Sequence, residues 1–144
     1  MNSTIKNILA VVLGWLLGNV INMGLIHTGL KLLPIDGIDP SNIDMEQYAA
    51  IMPTLDFKYF IFPFLAHALG TLVGAIIAGW IATSSKMKFS ISIGILFLLG
   101  GVYMSFMIKG PIWFTIIDLV FAYIPMALLG GKIAKKLSKN GREN

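Results

Sequence analysis

The stretch YFIFPFLAHALGTLVGAIIAGWIAT, residues 59–83, decides the fold. It holds no Asp, Glu, Lys or Arg, and roughly 20 apolar residues in a helix suffice to cross the hydrocarbon core of a bilayer. The run therefore reads as a membrane span. Its less apolar positions share one side: at about 100° per residue, Pro63, His67, Gly70, Thr71, Gly74 and Ala78 fall within one arc. Gly70, Gly74 and Ala78 form a ladder of small residues that lets a second helix approach closely.

Three further runs of the same kind occupy about residues 5–33, 89–108 and 112–132, leaving a connection at 34–58 and a basic tail at 133–144. Hydrophobic residues make up 56% of the chain and charged residues 12%, with mean hydropathy +0.80. A soluble domain carries about 25% charge, so a water-soluble protein is excluded. The fold expected is all-α: a single integral membrane domain, residues 1–144, built as a four-helix bundle. Lys6 precedes the first span, but that apolar run is too long for a signal-peptide core and lacks a small-x-small cleavage site, so it reads as an anchor. Without cysteine, no disulfide framework or thiolate chemistry arises.

Charge placement orients the bundle. Lys86 and Lys88 separate the second and third spans, and Lys132, Lys135, Lys136, Lys139 and Arg142 follow the fourth. The positive-inside rule puts these segments, and both termini, in the cytoplasm. Asp36, Asp39, Asp44, Glu46 and Asp56 place the 34–58 connection outside. The net charge of +4 is what topology alone requires, and a basic juxtamembrane tail meets anionic lipid, so the partner expected is the bilayer and not nucleic acid. Tyr59 and Trp113 near the outer boundary and Trp80 near the inner one fit an aromatic belt. Within the outer connection, Asp39-Pro40 reads as an N-cap with proline at the first helical position, and Ser41 to Met52 sets Ile43, Tyr48, Ile51 and Met52 near one face. A short amphipathic surface helix is expected there. Its aspartates lack the EF-hand spacing.

The third span repeats the small-residue device with Ser90, Gly94, Gly101 and Ser105, and reads as the partner of the second in the core seam. In the fourth, Phe114, Asp118, Ala122 and Pro125 share a face with Pro111, which turns the one carboxylate well inside a span toward the interior. Pro125 frees a carbonyl near Phe121 and favours a kink. In the first span Gly14 and Gly18 line up with Asn22, while Asn19 and His27 lie round the helix, His27 about 140° from Asn22. Two readings fit that scatter: protein on several sides of this helix, or a homodimer interface.

Depth selects a site. At about 1.5 Å per residue, His67 and Asp118 both lie roughly 6 Å outward of mid-span, with Tyr103 and His27 at about 7 to 10 Å and with Asn22 and Thr71 nearer the middle. An intramembrane ionisable residue is a functional-site hypothesis by default, and a histidine bonded to a carboxylate can exchange protons near neutral pH. The bland reading is interhelical glue. Two imidazoles and a carboxylate suit zinc, yet His27, His67 and Asp118 show no metal-binding spacing, and two histidines alone are no haem signature. No metal or other cofactor is expected. Ser90, Ser92 and Ser105 form no nucleophile constellation. Leu17-Gly18-Asn19-Val20 echoes Leu99-Gly100-Gly101-Val102, and Gly79-Trp80-Ile81-Ala82 echoes Gly131-Lys132-Ile133-Ala134, as tandem hairpins of like orientation would; this is not an inverted repeat.

The ordered set Asn22-Met23, the acidic connection, His67-Ala68-Leu69-Gly70-Thr71, Pro111-x-Trp113-Phe114 and Asp118 resembles a family of small bacterial four-span inner-membrane proteins. The resemblance covers roughly Gly18 to Gly131, with His67 to Gly74 its most specific part. It implies a bacterial inner membrane and four helices, and carries over no activity. The leading expectation is a membrane protein that binds or passes a proton, cation or small polar solute, with Asp118 bearing the charge, His67 sharing the proton, and Asn22, Thr71 and Tyr103 giving neutral hydrogen bonds. Competing readings are an accessory subunit of a larger membrane complex, docking through faces such as Gly70 and Gly74, and an intramembrane enzyme.

Overall fold

The structure, a computed structural model, describes residues 2–140; Arg142 lies outside the described residues. Helix α1 is Ser3–Leu32, opened by the Asn2 side chain, which accepts from the Thr4 amide, and followed by Pro34. A short helix α2, Met45–Ile51, and two 3₁₀ turns, Met52–Thr54 and Phe57–Phe60, lead into α3, Ile61–Ile81. Then come α4, Lys86–Met107, α5, Ile112–Phe121, and α6, Ile124–Asn140. Four runs are long and apolar enough to cross a membrane: Ser3–Leu32, Phe57–Ile81, Lys86–Met107 and Ile112–Lys139. The chain is thus a multi-pass helical membrane protein by length and composition.

The fourth run is two helices because proline cannot donate to the carbonyl one turn back. With Pro125 in place, α5 ends at Phe121 and α6 begins at Ile124, so Ala122 and Tyr123 form a buried corner between them. Past Lys132 the helix continues to Asn140, since Ala134, Lys135, Lys136 and Leu137 are good helix formers.

Helix α3 is the central member and packs against α1, α4 and α6. The tightest seam is not between the second and third spans, as the small-residue patterns suggest, but between α1 and α3. They run antiparallel, Gly14 against Gly74 and Gly18 against Gly70. A Cβ added at Gly14 would stand 2.5 Å from the Gly74 carbonyl oxygen, and one at Gly70 would stand 2.8 Å from that of Gly18. Two glycine pairs at matching depth bring backbones together more closely than the small residues of α4 allow. At the far end of this pair Asn7 Oδ1 accepts from the Thr83 amide at 2.9 Å and from its hydroxyl at 3.1 Å. Gly14, Gly18, Gly70 and Gly74 are therefore packed against one another within the chain.

The small residues of α4 instead receive the corner and α6. Ala127 sits where a side chain on Gly94 would be, and the Tyr123 ring occupies the corresponding space at Gly101. Ser90 is fully buried and donates to the Ala75 carbonyl at 2.8 Å, which fastens α4 to α3. Lys86, first in α4, reaches back to the carbonyls of Gly79, Trp80 and Ala82 at 3.3, 3.1 and 2.9 Å. A cation there satisfies orphan carbonyls and complements the negative end of α3.

The connection between α1 and α3 folds over one end of the bundle. Ile35 and Ile38 are buried against Leu30, with Ile43, Tyr48 and Ile51 packed around them. Met52 joins Phe60 and Phe114 in a second cluster, and the Phe60 ring meets Trp113 edge-on at 5.2 Å. Helix α2 begins later than Asp39-Pro40 suggests. Asp44 is its cap, accepting from the amides of Glu46 and Gln47, whereas Asp39 closes a separate turn by accepting from the Ser41 amide. Both aspartates are competent caps by residue type, but the helix starts only after Asp44.

Candidate functional site

Asp118 is 4% exposed on α5 and meets two donors. Nδ1 of His67, two spans earlier on α3, lies 2.8 Å from Oδ1 and 2.9 Å from Oδ2. The Tyr123 hydroxyl donates to Oδ2 at 2.8 Å. The rings of His67 and Tyr123 stack, with centroids 5.7 Å apart and planes at 28°. An ionised carboxylate accepts and does not donate, so with Asp118 ionised it is Nδ1 of His67 that carries the donated proton. Nε2, on the opposite edge of the ring, has no protein partner among the described residues.

These three side chains border a cavity of about 490 Å³ between α1, α3, α4 and α5, with α2 across one end. Its wall is mostly apolar, which makes the triad the concentrated polar feature of the site. The α3 and α5 side is formed by buried residues such as Pro63 and Phe114. The α1 and α4 side is different: Met23 is 49% exposed, Leu96 42% and Tyr103 64%, although all three border the cavity. The cavity is thus open sideways, between α1 and α4. Toward the termini it is closed by Phe97, whose ring lies against Gly18, and beyond it by Ile93 against Gly74.

The other residues singled out from the sequence divide. Asn22 borders the cavity, its side-chain amide without a protein hydrogen bond among the described residues, and Tyr103 stands at the open edge. Thr71 is not in the wall: it is fully buried one turn from His67, and its hydroxyl has no partner among the described residues. His27 stays on its own helix, with Nδ1 2.9 Å from the Met23 carbonyl. Among the described residues no three His, Cys, Asp or Glu side chains converge. The residue that sequence reasoning missed is Tyr123. Asp118 and Tyr123 are about 140° apart on an ideal helix, and only the break at 122–123 turns the hydroxyl back onto the carboxylate. Pro125 was the available signal.

The chain matches no family model, no curated protein and no solved structure.

Proposed function

We propose that this is a bacterial inner-membrane protein, both termini cytoplasmic, that binds a small cation or a proton in the pocket walled by Asp118, His67 and Tyr123. The observation that carries the reading is the buried carboxylate at the edge of a cavity. With Asp118 ionised and His67 and Tyr123 neutral, the triad would carry one net negative charge, and a charge inside a membrane costs at least about 2.5 to 3.5 kcal/mol. A cation in the cavity offsets that cost. The orientation rests on the lysines between α3 and α4 and on α6, set against the acidic 34–58 connection. With Phe97 and Ile93 closing the other end, the pocket in this conformation suits binding more than conduction.

Trp15 borders the cavity and reports on it. In a Trp80→Phe/Trp113→Phe background, methylammonium at constant ionic strength should change Trp15 emission saturably, and Asp118→Asn should abolish the response. An unresponsive Trp15, or a response equal in the Asn variant, would refute the reading.

A further inference from the structure

We propose that the physiological ligand class is a lipophilic amine, a cationic amphiphile that reaches the pocket sideways from the bilayer between α1 and α4. This rests on the cation-pocket reading and narrows it. The cavity wall is largely apolar, and the polar triad sits on the α3 and α5 side, opposite the opening. A fully hydrated cation gains little from such a wall, whereas an ammonium on an apolar body matches it. The head group donates to His67 Nε2, the one ring nitrogen that Asp118 leaves free. Asp118 stands behind the ring as the counter-charge. Trp15 and Tyr103 also border the cavity, and an aromatic ring attracts an ammonium through its quadrupole. The apolar body lies toward Leu96 and Met23, both partly exposed at the edge of the cavity.

Gly100 offers a way to obstruct the opening without disturbing the fold. It borders the cavity, and a Cβ added there meets nothing within 4 Å. Gly101, its neighbour, is packed against Tyr123 and would not serve.

The test uses the full chain with Trp15 as its one tryptophan, in phosphatidylcholine nanodiscs, with empty nanodiscs to correct for partitioning. Decylamine, decanol, decanoate and methylammonium are the probes. Decylamine should bind at least tenfold more tightly than methylammonium and at least tenfold more tightly than decanol. Decanoate should not bind. Asp118→Asn should weaken decylamine at least tenfold, and Gly100→Phe should slow its association severalfold in stopped flow, with thermal unfolding near that of the parent. Decanol or decanoate binding as tightly as decylamine would overturn the amine, and an unchanged rate in Gly100→Phe would overturn lateral access. If methylammonium keeps an Asp118-dependent response while decylamine has no advantage over it, only this inference falls. If neither probe depends on Asp118, the pocket reading falls with it.

Discussion

The Tyr123 hydroxyl donates to Asp118 Oδ2 at 2.8 Å across the corner between α5 and α6. One side chain thereby does two jobs, since its ring also fills the space beside Gly101 on α4. Tyr123→Phe separates them by keeping the ring and deleting the donor. A hydrogen bond to a charged acceptor contributes about 1.5 to 3 kcal/mol in soluble proteins and less between membrane helices. We expect Tyr123→Phe to destabilise by about 1 to 2 kcal/mol in thermal unfolding in detergent, and Tyr123→Ala by more. Equal stability of Tyr123→Phe and wild type would mean that the hydroxyl does not hold the carboxylate.

The α1 and α3 seam makes a sharper structural prediction. A methyl at Gly14 or Gly70 points at a carbonyl oxygen of the facing helix, so Gly14→Ala and Gly70→Ala force the helices apart. Overpacking of this kind costs about 1 to 3 kcal/mol. Gly24 is on the same helix as Gly14, and a Cβ there meets nothing within 4 Å. Gly24→Ala should leave stability unchanged or raise it slightly, because alanine is the better helix former. Comparable losses at Gly14 and Gly24 would argue against the seam.

How much of this was legible depends on what periodicity can carry. Span number and extent follow from apolar length, and the meeting of His67 with Asp118 follows from counting faces and depths along straight helices. Gly14, Gly18, Gly70 and Gly74 were each legible as packing residues, but which ladder met which was not, because a small-residue face names no partner. Tyr123 was hidden for a different reason: a helix break resets the angular count. Thr71 shares the arc of His67 and yet ends in the packed core, since an arc of a central helix faces several neighbours at once. The start of α2 was not legible either, because Asp39 and Asp44 are both cap residues by type and Asp39 instead closes a separate turn on the Ser41 amide.

The covering segment gives a pH prediction outside the spans. Burial raises the Tyr48 phenol above its ordinary value of 10.0. The folded cover binds that proton more tightly than the unfolded chain does, so Tyr48 contributes stability that is complete below pH about 10 and is lost as pH rises through the raised value. Protection factors of residues 45–51, taken against the intrinsic exchange rate at each pH, should fall in that alkaline range in wild type, with phenolate absorbance rising in step. In Tyr48→Phe that fall in protection should be absent. If both proteins show the same pH profile, Tyr48 is not what ties the cover to pH.

The closed end of the cavity separates binding from conduction. Two barriers stand in series: the Phe97 ring on Gly18, and Ile93, whose Cγ2 lies 3.2 Å from where a side chain on Gly74 would begin. Trimming either to alanine enlarges a cavity and costs stability, about 3 to 5 kcal/mol for the phenylalanine, but leaves the other barrier in place. Proteoliposomes holding wild type, Phe97→Ala or Ile93→Ala should therefore show no proton or potassium flux, while the double variant leaks, provided each elutes as a folded species. Flux through wild type that disappears in Asp118→Asn would mean instead that both barriers part during a working cycle. The pocket would then be one state of a transport site, because in this packing Phe97 and Ile93 lie against Gly18 and Gly74.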